Sequence, residues 1–181
     1  MNWILLGGAA FILLTLFDLN KVYKWHSSFN ALFPLSIFLL ILSLVMIYIK
    51  MEQYTFFASN PLFYILVCLG ALEQVYALFF ALPKETYTKL NEVKLVDSGL
   101  YSLCRHPGVW GFIVMAFGFT LASGSMLVLW TALSWTLLDL IHVAIQDRYI
   151  FPKSIPGYTL YQVNVPFLFF KRKESTCQNL F

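Results

Sequence analysis

Long apolar runs separated by short polar breaks dominate the chain. Five of them approach the roughly 20 residues a helix needs to cross the hydrocarbon layer: Trp3–Leu19, Phe29–Ile49, Pro61–Leu82, Pro107–Ala122 and Met126–Ile145. Each predicts a helix, because a backbone in lipid must satisfy its polar groups within the segment. The fourth run is short, about 24 Å at 1.5 Å per residue, and is expected to begin or end in the headgroup layer. Only Ser123-Gly124-Ser125 joins it to the fifth, so these two predict a tight antiparallel hairpin. Met1-Asn2-Trp3 carries no positive charge and no small-residue cleavage site follows the first run. That run is expected to be a retained helix, not a signal peptide.

Composition supports a membrane protein. The chain is 60% hydrophobic and 12% charged, against about 25% charged in soluble domains. The net charge of +3 makes no case for nucleic acid. Placement of the charges says more. With five spans, every lysine and arginine except Lys50 falls on one side of the membrane. The positive-inside rule then puts the N-terminus outside and the C-terminus in the cytoplasm. The expected fold is an all-α, polytopic bundle of about five transmembrane helices in the cell membrane. It forms one domain over residues 1–181: residues 1–95 give three spans and a cytoplasmic loop, and residues 96–170 form a second module.

The tail 151–170 is broken by Pro152, Pro156 and Pro166, and its tyrosines and phenylalanines suggest a segment at the cytoplasmic interface. Lys171-Arg172-Lys173 either contacts anionic headgroups or is a basic stop after an aromatic anchor. Membrane lipids are thus expected partners, and nothing sets the oligomeric state. Cys68, Cys104 and Cys177 show no paired spacing and are expected to be reduced thiols.

Candidate chemistry concentrates at Gly99–Gly111. Pro107 suits the first position of a helix, which sets Arg105 and His106 at its positive N-terminus, a place to hold an anion. Ionisable residues within apolar runs are functional candidates by default. Glu73 reads as a site residue or as a protonated carboxyl bonded to a neighbouring helix. Asp139, His142 and Gln146 share one helical face with Trp135, and Asp139 and His142 are close enough to pair with each other. His106 and His142 are equidistant from Gly124, so the hairpin predicts one cluster of Arg105, His106, His142, Gln146 and Asp147. Gly108, Gly111, Met115, Gly118 and Ala122 form a small-residue face, for close helix packing or for a flat ligand. His26 is expected at the interface. No metal site is expected, since Cys104 and His106 offer at most two ligands.

Gly99, Tyr101, Arg105-His106-Pro107 and Gly111 resemble the GxYxxxRHPxxxG signature of small integral-membrane methyltransferases. This superfamily includes the isoprenylcysteine carboxyl methyltransferases and the phospholipid N-methyltransferases. Downstream, Gln146-Asp147-Arg148, Tyr158, Tyr161 and Val165-Pro166 sit at matching spacings, and the resemblance covers residues 95–170. It implies that S-adenosylmethionine is bound from the cytosol and that its methyl group passes to a lipophilic small-molecule acceptor. The implied site comprises Tyr101, Arg105, His106, Pro107, Gly111, His142, Gln146, Asp147, Tyr158 and Tyr161. Arg105 and His106 would hold the carboxylate of S-adenosylmethionine and act in catalysis, and Asp147 would hold a hydroxyl or an amino group. Gln146 replaces the first carboxylate of the family's acidic pair. Val109-Trp110-Gly111 and Asp147-Arg148 also resemble the NnrU branch, which includes plant zeta-carotene isomerase. That branch implies haem b, held by His106 and His142, as the alternative. A non-catalytic membrane relative is the third reading.

Overall fold

The structure is a computed structural model in which residues 2–77 and 95–169 are described. Its helices are α1 (Asn2–Tyr23), α2 (Leu32–Lys50), α3 (Tyr64–Val75), α4 (Pro107–Ser123), α5 (Met126–Ile145), α6 (Phe151–Ser154) and α7 (Tyr158–Asn164). Among the described residues there is no strand, only an isolated antiparallel bridge between Thr55 and Ser125. α1, the stretch Ser27–Tyr54 around α2, and the stretch Met126–Ser154 that begins with α5 are long and apolar enough to cross a membrane; Pro61–Val75 and Pro107–Ser123 are shorter apolar helices. The all-α expectation holds.

Boundaries differ where local chemistry intervenes. α1 continues past Leu19 to Tyr23, and within this added turn Lys21 meets Asp18 at 3.7 Å. α2 begins at Leu32, not Phe29, since a short 3-10 turn over Ser27–Ala31 precedes it. His26 caps that turn from an exposed position, accepting the Ser28 N–H on Nδ1. The third run opens on a 3-10 turn, Pro61–Phe63, with the Asn60 side chain accepting the Leu62 N–H. Its end at Leu82, the basic loop residues Lys84, Lys89 and Lys94, and the tail Lys171-Arg172-Lys173 with Cys177 lie outside the described residues.

The helices pack in a row, α2 on α1, α1 on α5, α5 on α4 and α4 on α3. α4 and α5 are antiparallel as expected. Gly124 takes φ +64 and closes α4 in the left-handed conformation that glycine tolerates best. The loop after α2 packs on this hairpin tip, with the Phe56 N–H donating to Gly124 O and Ser125 Oγ donating to Met51 O. α1 and α5 run parallel. Contacts step together along both, from Trp135 Nε1 on Ile4 O, through His142 on Thr15, to Gln146 on Asp18. Phe11, Ile47, Leu127, Val128 and Trp135 form the apolar core between α1, α2 and α5. Large exposed apolar side chains such as Leu5, Phe38, Ile49 and Leu137 are what a surface solvated by lipid carries.

Candidate functional site

Pro107 is at the start of α4 and its ring is buried, as its fixed φ and missing N–H favour. Arg105 and His106 therefore reach the helix entrance on non-helical backbone. The anion held there is the protein's own. Asp147 is 4% exposed and receives Arg105 Nη2 at 3.0 Å and His106 Nε2 at 3.3 Å. Arg105 Nε comes within 2.9 Å of Oδ1 as an ion-pair contact, without the alignment of a hydrogen bond.

A C-terminal segment folds back over this entrance and completes it. Arg105 Nη1 donates to Gln162 O and Val165 O at 2.7 and 2.9 Å, and its backbone N–H donates to Pro166 O at 3.0 Å. Gln162 Nε2 donates to Asp147 O, and Trp110 Nε1 donates to Leu168 O. Tyr158 Oη donates to Asp147 Oδ1 at 2.7 Å, and Tyr161 Oη donates to Tyr101 O. Phe151 stacks on the His106 imidazole and Phe167 meets it edge-on. Burial, then the bond to the Asp147 carboxylate, raises the Tyr158 phenol, so it remains a donor across the neutral range. Burial likewise raises Tyr161 and the wholly buried Cys104 thiol. A neutral donor to a charged partner contributes about 1.5–3 kcal/mol. Tyr158→Phe is expected to cost that much in equilibrium unfolding, with the helix content unchanged by circular dichroism.

The single cluster expected from the hairpin is in fact two. Counting equal distances from Gly124 assumed helix on both arms, but the upstream arm is helical only from Pro107. On the other arm α5 widens into a π turn, Gln146–Ile150. Asp147, not His142, thus comes level with Arg105 and His106. His142 and Gln146 turn instead to α1. Thr15 Oγ1 donates to Phe11 O, which assigns the His142 Nδ1–H as donor to Thr15 at 2.9 Å. His142 Nε2 is 3.6 Å from Asp18 Oδ2, and Gln146 Nε2 donates to that same oxygen at 2.7 Å. The hydrogen-bond partner of His142 across the interface is Thr15, with Asp18 beside it, not Asp139.

This arrangement does not suit a haem held by His106 and His142. The His106 ring is held by Asp147, a stacked Phe151 and an edge-on Phe167, and the His142 ring turns to Thr15 and Asp18 on α1.

The small-residue face of α4 is used for packing. A Cβ at Gly118 would meet Leu66 Cβ at 2.6 Å and Val67 N at 2.9 Å, so α3 and α4 touch almost backbone to backbone. Gln74 Nε2 donates to Gly108 O across the same contact. Glu73 lies against Gly111, and its Oε2 is buried without a hydrogen-bond partner among the described residues. Sequence reasoning missed Thr15, Asp18, Gln162 and Phe167. Asp18 carried a signal: it is the one acidic residue in the first apolar run.

The phospholipid methyltransferase family model matches residues 62–149. No curated protein and no solved structure matches the chain. The matched stretch holds α3, the Arg105-His106-Pro107 entrance, the α4–α5 hairpin and Asp147, and it leaves out α1, α2 and the folded-back tail. Over residues 62–149 the chain matches the phospholipid methyltransferase family, which is consistent with the integral-membrane methyltransferase superfamily.

Proposed function

We propose that the protein is a multi-pass, S-adenosylmethionine-dependent methyltransferase that acts on a lipophilic acceptor at the cytoplasmic membrane face. The observation that carries this reading is the buried polar cluster of Arg105, His106, Asp147 and Tyr158 at the entrance to α4, within and beside the matched stretch. The distribution of lysine and arginine supports the cytoplasmic side.

One feature fits S-adenosylmethionine. The Glu73 carboxylate packs directly on the Gly111 backbone, and its buried Oε2, without a hydrogen-bond partner among the described residues, suits a cationic sulfonium or ammonium. When bound, this molecule supplies an electrophilic methyl group. The chain's own residues then have mainly to align two reactants and keep water out, since proximity and orientation carry most of such a transfer. His106 and Asp147 bind the polar end, and the longer His106 contact is the one a ligand most easily replaces. Arg105, with donors committed to Asp147 and to tail carbonyls, holds Asp147 and the tail in place. Tyr101, Tyr158 and Tyr161 wall the entrance. The acceptor arrives through lipid, beside the exposed apolar face of α3 that neighbours α4.

Calorimetry on purified protein tests this. S-adenosylmethionine and its demethylated product are expected to bind, and His106→Ala is expected to weaken binding at least about tenfold, or 1.4 kcal/mol. Absence of heat and of competition at millimolar ligand overturns the reading. Transfer of labelled methyl to amine-headgroup vesicles or to a prenyl-cysteine ester precursor then separates the acceptors.

A further inference from the structure

The second polar cluster, between α1 and α5, lies partly outside the stretch matched to the family. Its centre is Asp18, whose side chain is 13% exposed and faces three groups. Lys21 approaches from its own helix at 3.7 Å, His142 Nε2 from α5 at 3.6 Å, and Gln146 Nε2 donates at 2.7 Å. Gln146 opens the π turn, and the next residue is Asp147. The two side chains leave the turn for different partners, Gln146 for α1 and Asp147 for the α4 entrance and the tail.

A π turn is rare and is met mostly as a single wide turn within an α-helix, often at a functional site. Here the wide turn is anchored on both sides, and it sets where the Asp147 carboxylate points. On one side the anchor is the Arg105 fork. On the other it is Asp18, reached through one short hydrogen bond. Lys153, beyond the turn, returns to α1 at Tyr23 Oη, 2.9 Å away, so α1 grips the segment before and after Asp147.

We propose that Asp18 is a positioning residue for Asp147, acting through Gln146 across the α1–α5 interface. The site is therefore completed by a helix outside the matched stretch. The ligand-affinity arm of the test below rests on the function proposed above; the exchange arm does not.

Hydrogen–deuterium exchange on the full chain in detergent is the first arm. Asp18→Ala and Gln146→Ala are each expected to speed amide exchange over residues 146–165, and the double variant no more than either alone. Affinity for the demethylated product of S-adenosylmethionine is the second arm. Each single variant is expected to weaken it about fivefold, with the double variant far from additive, as coupled neighbours behave. Asp18→Asn retains an oxygen for Gln146 and is expected to keep most of the affinity. Should Asp18→Ala fail to fold, Gln146→Glu carries the test: it opposes two carboxylates and weakens binding, and adding Asp18→Asn restores a donor–acceptor pair and the affinity. Altered thermal stability with unchanged exchange at 146–165 overturns the proposal, as do additive effects on affinity. A wild-type protein that binds neither ligand overturns the proposed function alone, and the exchange arm then decides the role of Asp18.

Discussion

Asp147→Ala is expected to destabilise the protein by about 3–5 kcal/mol, the range for removing one partner of a buried ion pair. The cost comes from what is left behind. Arg105 Nη2, His106 Nε2, Tyr158 Oη and Gln162 Nε2 all direct donors at this carboxylate. Without it, a guanidinium and a phenol remain in a nearly dry place, and an unpartnered buried donor bears its full desolvation penalty. Arg105 also holds the tail through three carbonyls, so the loss spreads to Gln162–Pro166. The paired variant Arg105→Met/Asp147→Leu removes both charges and is expected to be less destabilised than Asp147→Ala alone. Unfolding titrations of the three proteins in one detergent check the order. If the double variant is as destabilised as Asp147→Ala or more so, the pair is not the organising contact. Ligand binding should be lost in both.

Much of this cluster is legible in the sequence. Pro107 announced a helix start, and the short Ser123-Gly124-Ser125 link announced the hairpin. Those two features alone brought Arg105 and His106 toward the end of the next helix. The error in register came from non-helical geometry, which periodicity cannot see. Residues before Pro107 leave the helix axis, and the π turn shifts Asp147 relative to a regular helix. Of the 100° stripe of Asp139, His142 and Gln146 with Trp135, all but Asp139 make hydrogen bonds to one neighbouring helix, but a stripe does not name that helix. It faces α1, through Ile4, Thr15 and Asp18. The tail was harder still. Its prolines and aromatics read as an interfacial segment, whereas its role depends on carbonyl groups of Gln162, Val165 and Pro166 that accept from Arg105. Any residue type supplies a carbonyl, so side-chain identity could not reveal this.

Gly70→Ala is expected to cost about 1–3 kcal/mol, the range for forcing atoms into a packed contact. A Cβ there would meet Gly111 O, with Met115 N at 2.6 Å and Met115 Cβ at 2.8 Å. Two of these are backbone atoms of α4, so no rotamer change relieves the clash and the helices must separate. Separation would also break the Gln74–Gly108 hydrogen bond and draw Glu73 away from Gly111. The gain in helix propensity on replacing glycine, about 1 kcal/mol, offsets only part of this. Gly108→Ala is the control. Its Cβ would find Gln74 Oε1 at 3.4 Å, an ordinary contact with the end of a flexible side chain, so propensity should win and stability should hold or rise. Comparing the two variants by thermal unfolding and by binding of the demethylated product separates close packing from helix preference. If both behave alike, the small-residue face does not set the α3–α4 distance. If only Gly70→Ala loses affinity, that distance also sets where Glu73 lies against Gly111.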